Sequence, residues 1–114
     1  MPYTYISFAK TLPEFLANKK TCTRRQWKPR HVKKFNCGDL VVALDRDRRA
    51  HGKQIGLIRL TAIYQEQLSN MPDSDVAAEG FPELSKEEFI EQFFDGNALQ
   101  MLTVVRFKMV IADL

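Results

Sequence analysis

The placement of strand-forming runs constrains this chain more than any other feature. Tyr3 to Phe8 is aromatic and β-branched, with Tyr3, Tyr5 and Ser7 alternating against Thr4, Ile6 and Phe8. That period of two predicts a strand. Leu40 to Leu44 is a short apolar run after the turn Asn36-Cys37-Gly38-Asp39 and predicts a buried strand. Ile55 to Ile63 sets Ile55, Leu57, Arg59, Thr61 and Ile63 against Gly56, Ile58, Leu60 and Ala62. Both sides carry apolar or small residues, so a barrel strand covered on both faces is expected. Met101 to Ile111 closes the chain with Met101, Val105, Phe107, Met109 and Ile111 on one side. Strands at both ends and in the middle argue against regular βαβ alternation and for an α+β or barrel architecture.

Short helical segments fall between these runs. Leu12, Phe15 and Leu16 share one face, which predicts a helix to about Asn18 with Thr11 as N-cap and Pro13 in its first turn. Thr21 to Trp27 reads as a short strand or extended loop. Pro29 disfavours helix at Lys28, and one turn is expected over His31 to Phe35. Asp45 to Gly52 is charged and predicts an exposed hairpin loop. Asp73 to Ala78 predicts a short helix stopped by Gly80. Ser85 and Glu88 have the spacing of a capping box, with Leu84 and Phe89 as its hydrophobic staple. Phe89, Ile90, Phe93 and Phe94 line one face of the helix that follows, and Asp95-Gly96-Asn97 ends it. The 114 residues show no repeat or linker, so residues 1–114 are expected to form a single domain.

Net charge is only +3, but its distribution is lopsided. Lys19 to Lys34 holds eight Lys or Arg and no acid, whereas Leu60 to Ala98 holds nine Asp or Glu and one base, Lys86. Two readings follow. The basic block attracts a polyanion, or the two blocks are solvated faces that attract each other within the fold. The longest apolar runs fall far short of the ~20 residues of a membrane helix, and no secretory leader is evident in MPYTYISFAK. The two cysteines, Cys22 and Cys37, make poor material for a disulfide framework, so a cytoplasmic location is expected.

No glycine-rich phosphate loop or GxSxG motif is present. Cys22, His31, Cys37 and His51 are ligand types for zinc but lack a closely spaced pair, so neither metal nor cofactor is expected. Cys22, among bases, is a candidate nucleophile or a semi-buried strand cysteine.

Five segments in order resemble the ASCH domain, of the PUA-like superfamily. The first, Lys19-Lys20-Thr21-Cys22-Thr23-Arg24-Arg25, is similar to the family's Lys-Thr-x-Thr-x-Arg run. Phe35-Asn36-Cys37-Gly38-Asp39, Gly52-Lys53-Gln54-Ile55-Gly56, Glu79-Gly80-Phe81 and Val104-Val105-Arg106-Phe107 follow at matching intervals over nearly the whole chain. The resemblance implies an α+β fold, a PUA-like small β-barrel with short helices packed around it. It also implies RNA or nucleotide binding in a basic cleft, with a role in RNA-linked regulation. In one branch the family is an amidohydrolase that removes the acyl group from N4-acetylcytidine. Its catalytic lysine, threonine and glutamate correspond to Lys20, Thr23 and Glu79. Here Arg24 stands where that branch has an apolar residue, and extra bases follow at Lys28, Arg30, Lys33 and Lys34, which favours a larger anionic ligand.

The leading expectation is an RNA- or nucleotide-binding domain, a monomer or weak dimer, with Lys20, Thr23, Arg25 and Glu79 lining the cleft. Lys19, Arg24, Arg25, Lys28, Arg30 and Lys33 would neutralise phosphates. Trp27 would stack on an unpaired base or else pack on Pro29 as a lid. The alternative is the amidohydrolase, with Thr23 as nucleophile and Lys20 as base if its pKa is depressed. Lys20 and Glu79 would otherwise be an ion pair pinning a helical insert to the barrel. A protein-interaction surface on the acidic helix around Glu83 to Glu91 is a third reading, although its phenylalanine stripe is expected in the core.

Overall fold

The computed structural model describes residues 4–112. The expected strand start at Tyr3 lies outside them. Five strands form one sheet in the order β1-β3-β4-β5-β2: β1 Tyr5–Ser7, β2 Cys22–Arg25, β3 Leu40–Leu44, β4 Gln54–Gln67 and β5 Met101–Ala112. β1 runs parallel to β3, with Tyr5 opposite Val42, and every other pairing is antiparallel. Register shifts interrupt β4 against β5 at Leu57/Ile58 and at Leu60/Ala62. Such bulges bend and over-twist a strand, and the sheet curls into a half-barrel.

β4 is longer than its alternation predicts, and its second face is uncovered at Arg59 and Thr61. Gly56, Ile58 and Leu60 are buried while Arg59 and Thr61 are exposed. Parity switches around the two bulges: Ile55, ahead of the first, and Ile63, after the second, pack against the same core as Ile58 and Leu60. That core fills the half-barrel with Ile6, Phe8, Phe15, Val41, Ile58 and Phe107 among its members. Phe8 stacks on Phe15 with ring centroids 4.4 Å apart.

Among the described residues, four α-helices pack around the sheet: α1 Leu12–Leu16, α2 Pro29–Val32, α3 Ser74–Ala78 and α4 Lys86–Phe94. α1 stops two residues earlier than expected, because Asn18 takes a left-handed conformation at φ 58°. Thr11 sits at the N-cap position but makes no capping bond with its side chain. α2 begins at Pro29, two residues ahead of the turn expected over His31 to Phe35, as the fixed φ of proline favours a first helical position. The capping box of α4 forms as predicted: Glu88 N donates to Ser85 Oγ at 3.1 Å, and Ser85 N donates to Glu88 Oε1 at 2.8 Å. Phe89 and Ile90 then join Leu68, Met71, Val76, Phe81 and Leu102 in a second core beneath the insert between β4 and β5. Among the described residues, no helix is long and apolar enough to cross a membrane.

Candidate functional site

Lys20 lies where the chain leaves α1 for β2. Its backbone is pinned to the insert next door, since Thr21 N donates to Ala78 O at 2.7 Å. Glu79 caps α3, and Gly80 follows at φ +110°. A Cβ on Gly80 would stand 2.6 Å from Glu14 Cβ, so only glycine lets the end of α3 close onto α1. This approach brings Lys20 and Glu79, 59 positions apart, into contact. Lys20 Nζ donates to Glu79 Oε1 at 2.8 Å and to the Glu79 carbonyl at 3.0 Å.

β2 is buried on both sides, and its side chains divide by parity. Cys22 and Arg24 point one way, with Arg24 Nη1 3.5 Å from Cys22 Sγ. Thr23 and Arg25 point the other, with Arg25 Nε donating to Thr23 Oγ1 at 3.0 Å. Arg24 therefore departs from its expected role as a phosphate ligand. Its side chain is 1% exposed and donates to Glu79 Oε2 at 3.0 Å, Glu66 Oε1 at 2.8 Å and Asp75 Oδ2 at 2.5 Å. Asp75 also accepts from Arg106 at 2.7 Å. Lys20, Arg24 and Arg106 thus face Glu66, Asp75 and Glu79, a charge-balanced network buried at Lys20, Arg24, Asp75 and Glu79 and reaching solvent at Arg106 and Glu66. Isolated charges at this depth would each cost several kcal/mol, and only the mutual pairing makes the cluster tolerable. The lysine–glutamate pair does pin the insert to the barrel, but as part of this larger network.

The network sets the titration of its members. Burial lowers the Lys20 pKa from its ordinary value, and Glu79 opposes the shift. Burial pushes the Cys22 thiol up to about 12, reinforced by Glu79. Cys22 is a protonated core side chain and does not supply a thiolate nucleophile. Burial alone would raise the pKa of Asp75, but the hydrogen bonds from Arg24 and Arg106 outweigh it and hold the carboxyl below its usual value. A depressed carboxylate contributes stability that is complete above the unfolded pKa, about 4, and is lost as pH falls through the lower folded value. Asp75→Asn is expected to reduce stability at neutral pH and to flatten the loss of stability below about pH 4. Urea midpoints measured across that acid range check this, and an unchanged slope would assign the acid limb to other groups.

Two cavities meet beside Arg25. The first, of about 460 Å³, opens where the two cores approach each other, a volume suited to a small ligand. Lys20, Thr23, Arg24 and Glu79 form one wall, and Phe81, Phe89, Phe93 and Phe94 form another. The phenylalanine stripe of α4 is therefore both core and cleft wall. The second cavity is an open groove of about 830 Å³ carrying Arg25, Lys28, Arg30, Lys34, Arg48 and Arg49, with Asp47 as the one acid among its lining residues. Ser7, Arg25 and Gln26 line both cavities. Arg25 also spans the two edge strands of the sheet. From β2 it donates to the Ser7 carbonyl of β1 at 2.6 Å and lies 5.5 Å from the centre of the Phe8 ring.

Most of the expected site residues converge here. Lys20, Thr23, Arg25 and Glu79 share the cleft, and Arg25, Trp27, Lys28 and Arg30 share the groove. Lys19 and Lys33 are exposed but line neither cavity. Trp27 stacks on Phe35 with centroids 4.6 Å apart and meets His31 edge-on at 4.7 Å, so one of its faces is already occupied. Tyr5, Ser7, Arg48 and Arg49 went unnoticed as site residues in the sequence. The only local signal was the charge of the 45–52 loop, which fits a solvated turn equally well.

No family model matches the sequence, and no curated protein does. Solved structures do match. A protein from Enterococcus faecalis V583, described by the family model DUF984, superposes with a TM-score of 0.69 at 17% identity over 98% of this chain and 82% of its own. An ASCH domain from Lactobacillus crispatus JV V101 gives a TM-score of 0.69 at 16% identity over 96% of this chain and 82% of its own. An ASCH protein from Zymomonas mobilis gives 0.61 at 22% identity over 96% of this chain and 72% of its own. The molecule is a small α+β half-barrel with a helical insert over a charged cleft. Its fold is that of the ASCH domain.

Proposed function

We propose that this domain binds single-stranded RNA or a nucleotide derived from it, with one base in the Lys20–Glu79 cleft and the phosphates along the basic groove. The observation that carries this reading is the adjacency of the two cavities, whose walls share Ser7, Arg25 and Gln26. A neutral nucleoside would need only the cleft, and Arg25, Lys28, Arg30 and Lys34 along the adjoining groove suit a short strand of phosphates. In the cleft, Lys20 and Glu79 are engaged with each other and with Arg24, and the phenylalanine wall offers apolar surface to the flat face of a base.

The reading is tested by binding a labelled single-stranded RNA over a range of salt concentrations. Each phosphate contact removed is expected to reduce the slope of log affinity against log salt by about 0.7. Lys28→Ala and Arg30→Ala should each do so, whereas Lys19→Ala and Lys33→Ala, outside both cavities, should leave the slope unchanged. Wild-type binding that ignores salt would remove the groove from the function.

The amidohydrolase remains a second reading, favoured by the meeting of Lys20, Thr23 and Glu79 in one cleft and by the lowered pKa of Lys20. Against it, Lys20 Nζ is held by Glu79, and Thr23 Oγ1 is hydrogen-bonded to Arg25, with no bond from Lys20 to Thr23 among the described residues. A serviceable nucleophile needs its base within hydrogen-bond reach. The same preparation incubated with N4-acetylcytidine decides: release of cytidine, abolished by Lys20→Met, would put hydrolysis first.

A further inference from the structure

The hairpin turn between β3 and β4 lies well away in sequence from the basic block, yet it forms one flank of the groove. It is built rigidly. Asp45 N donates to the Lys53 carbonyl at 3.0 Å, and Lys53 N returns a bond to Asp45 Oδ1 at 2.7 Å. Asp47 Oδ1 accepts from Arg49 N at 2.8 Å, and Asp47 O accepts from Ala50 N and Gly52 N. A Cβ at Gly52 would stand 2.0 Å from the Arg46 carbonyl, so glycine is needed for the turn to close this tightly. The one acid of the groove is thus engaged in holding the turn. From this turn the Arg48 guanidinium lies over the ring of Tyr5, 4.4 Å from its centre, on the edge strand β1. Both residues line the groove.

We infer that the Tyr5–Arg48 pair is a stacking platform for an unpaired base, a second base position beyond the one in the cleft. The ligand class is a single-stranded oligonucleotide longer than the nucleotides that the cleft and the Arg25 junction hold. An arginine held over an aromatic ring can stack a base on its guanidinium, and the contact with Tyr5 restrains Arg48 so that little side-chain freedom is lost on binding. Arg49, next on the same turn, is placed for the adjoining phosphate. The inference rests on the RNA-binding reading above and extends the footprint to residues that reading does not require.

The test uses fluorescently labelled uridine oligonucleotides, a dinucleotide and an octanucleotide, with wild type, Arg48→Ala, Arg48→Lys and Tyr5→Ala. Base stacking of this kind corresponds to about tenfold or more in affinity. Arg48→Ala and Tyr5→Ala are expected to weaken octanucleotide binding by about that factor and to leave the dinucleotide unchanged. Arg48→Lys keeps the charge but removes the plane, and is expected to lose most of the same factor. Full affinity in Arg48→Lys would overturn the stack and leave charge alone. Octanucleotide binding unaltered in both alanine variants would overturn the second base position while leaving the cleft and groove in place. A wild type that binds neither oligonucleotide at low salt would overturn the underlying reading as well. Melting curves matching wild type keep the comparison free of misfolding, and Arg48, being exposed, is well suited to this.

Discussion

Arg24→Leu is expected to destabilise the domain by about 3–5 kcal/mol, a large share of the ~5–15 kcal/mol that holds a typical domain together. The substitution removes the cation at the centre of a buried network. Asp75 retains Arg106, and Glu79 retains Lys20, but each loses half of its pairing, and Glu66 loses its only ion-pair partner among the described residues. Leucine fills part of the volume and satisfies none of the oxygens. Arg24→Lys is expected to recover only a fraction, because a single ammonium cannot reach three carboxylates as a guanidinium fork does. Urea unfolding of the two variants measures both effects. A loss below about 1 kcal/mol for Arg24→Leu would mean that the carboxylates find water or other partners readily, and that the network is not what holds the insert on the barrel.

Arg25 is expected to behave differently, although it is the next residue. On the proposed RNA-binding reading, Arg25→Ala should reduce affinity for single-stranded RNA by about 10- to 100-fold, the range for losing one or two hydrogen bonds from a charged donor. Its side chain is anchored by Thr23 Oγ1, by the Ser7 carbonyl and against Phe8. These contacts use Nε and one N–H of Nη2, which leaves Nη1 and the second N–H of Nη2 for a phosphate at the junction of the cavities. Arg25→Lys keeps the charge but cannot serve the anchors and a ligand together, so it should resemble the alanine variant in affinity. Lys28→Arg, on the open groove, should bind as wild type does. A thermal melt on each protein separates loss of binding from loss of the seam between β1 and β2. Wild-type affinity in Arg25→Lys would show that only charge is needed at the junction.

The contrast between these neighbours marks the limit of reading the site from the chain. Local rules were enough for the elements: the Ser85–Glu88 capping box, the apolar run Leu40–Leu44 and the long alternation before Ile111 all stand where period and turn chemistry put them. Ordered motifs were enough for the ASCH fold and for bringing Lys20, Thr23 and Glu79 to one cleft. Helix ends were less legible. Thr11 sits in position without capping, because a preceding 3-10 turn alters the approach of the chain.

What the sequence by itself determined is therefore the set of strands and helices, their order and the family of folds they build, because these depend on periodicity and on contacts a few residues apart. The tertiary structure alone decided which members of the basic block meet solvent. In β2 both faces are covered, one by the half-barrel and the other by α3, so the usual alternation of inward and outward side chains has no outward member until Arg25. Arg24 is drawn inward by Asp75 and Glu79, more than 50 positions away, and Arg48 reaches Tyr5 only because β1 pairs with β3 ahead of the hairpin. Charge is a local property of the chain, but its partner is fixed by topology, and in a buried site the partner decides whether a cation holds the fold together or waits for a ligand.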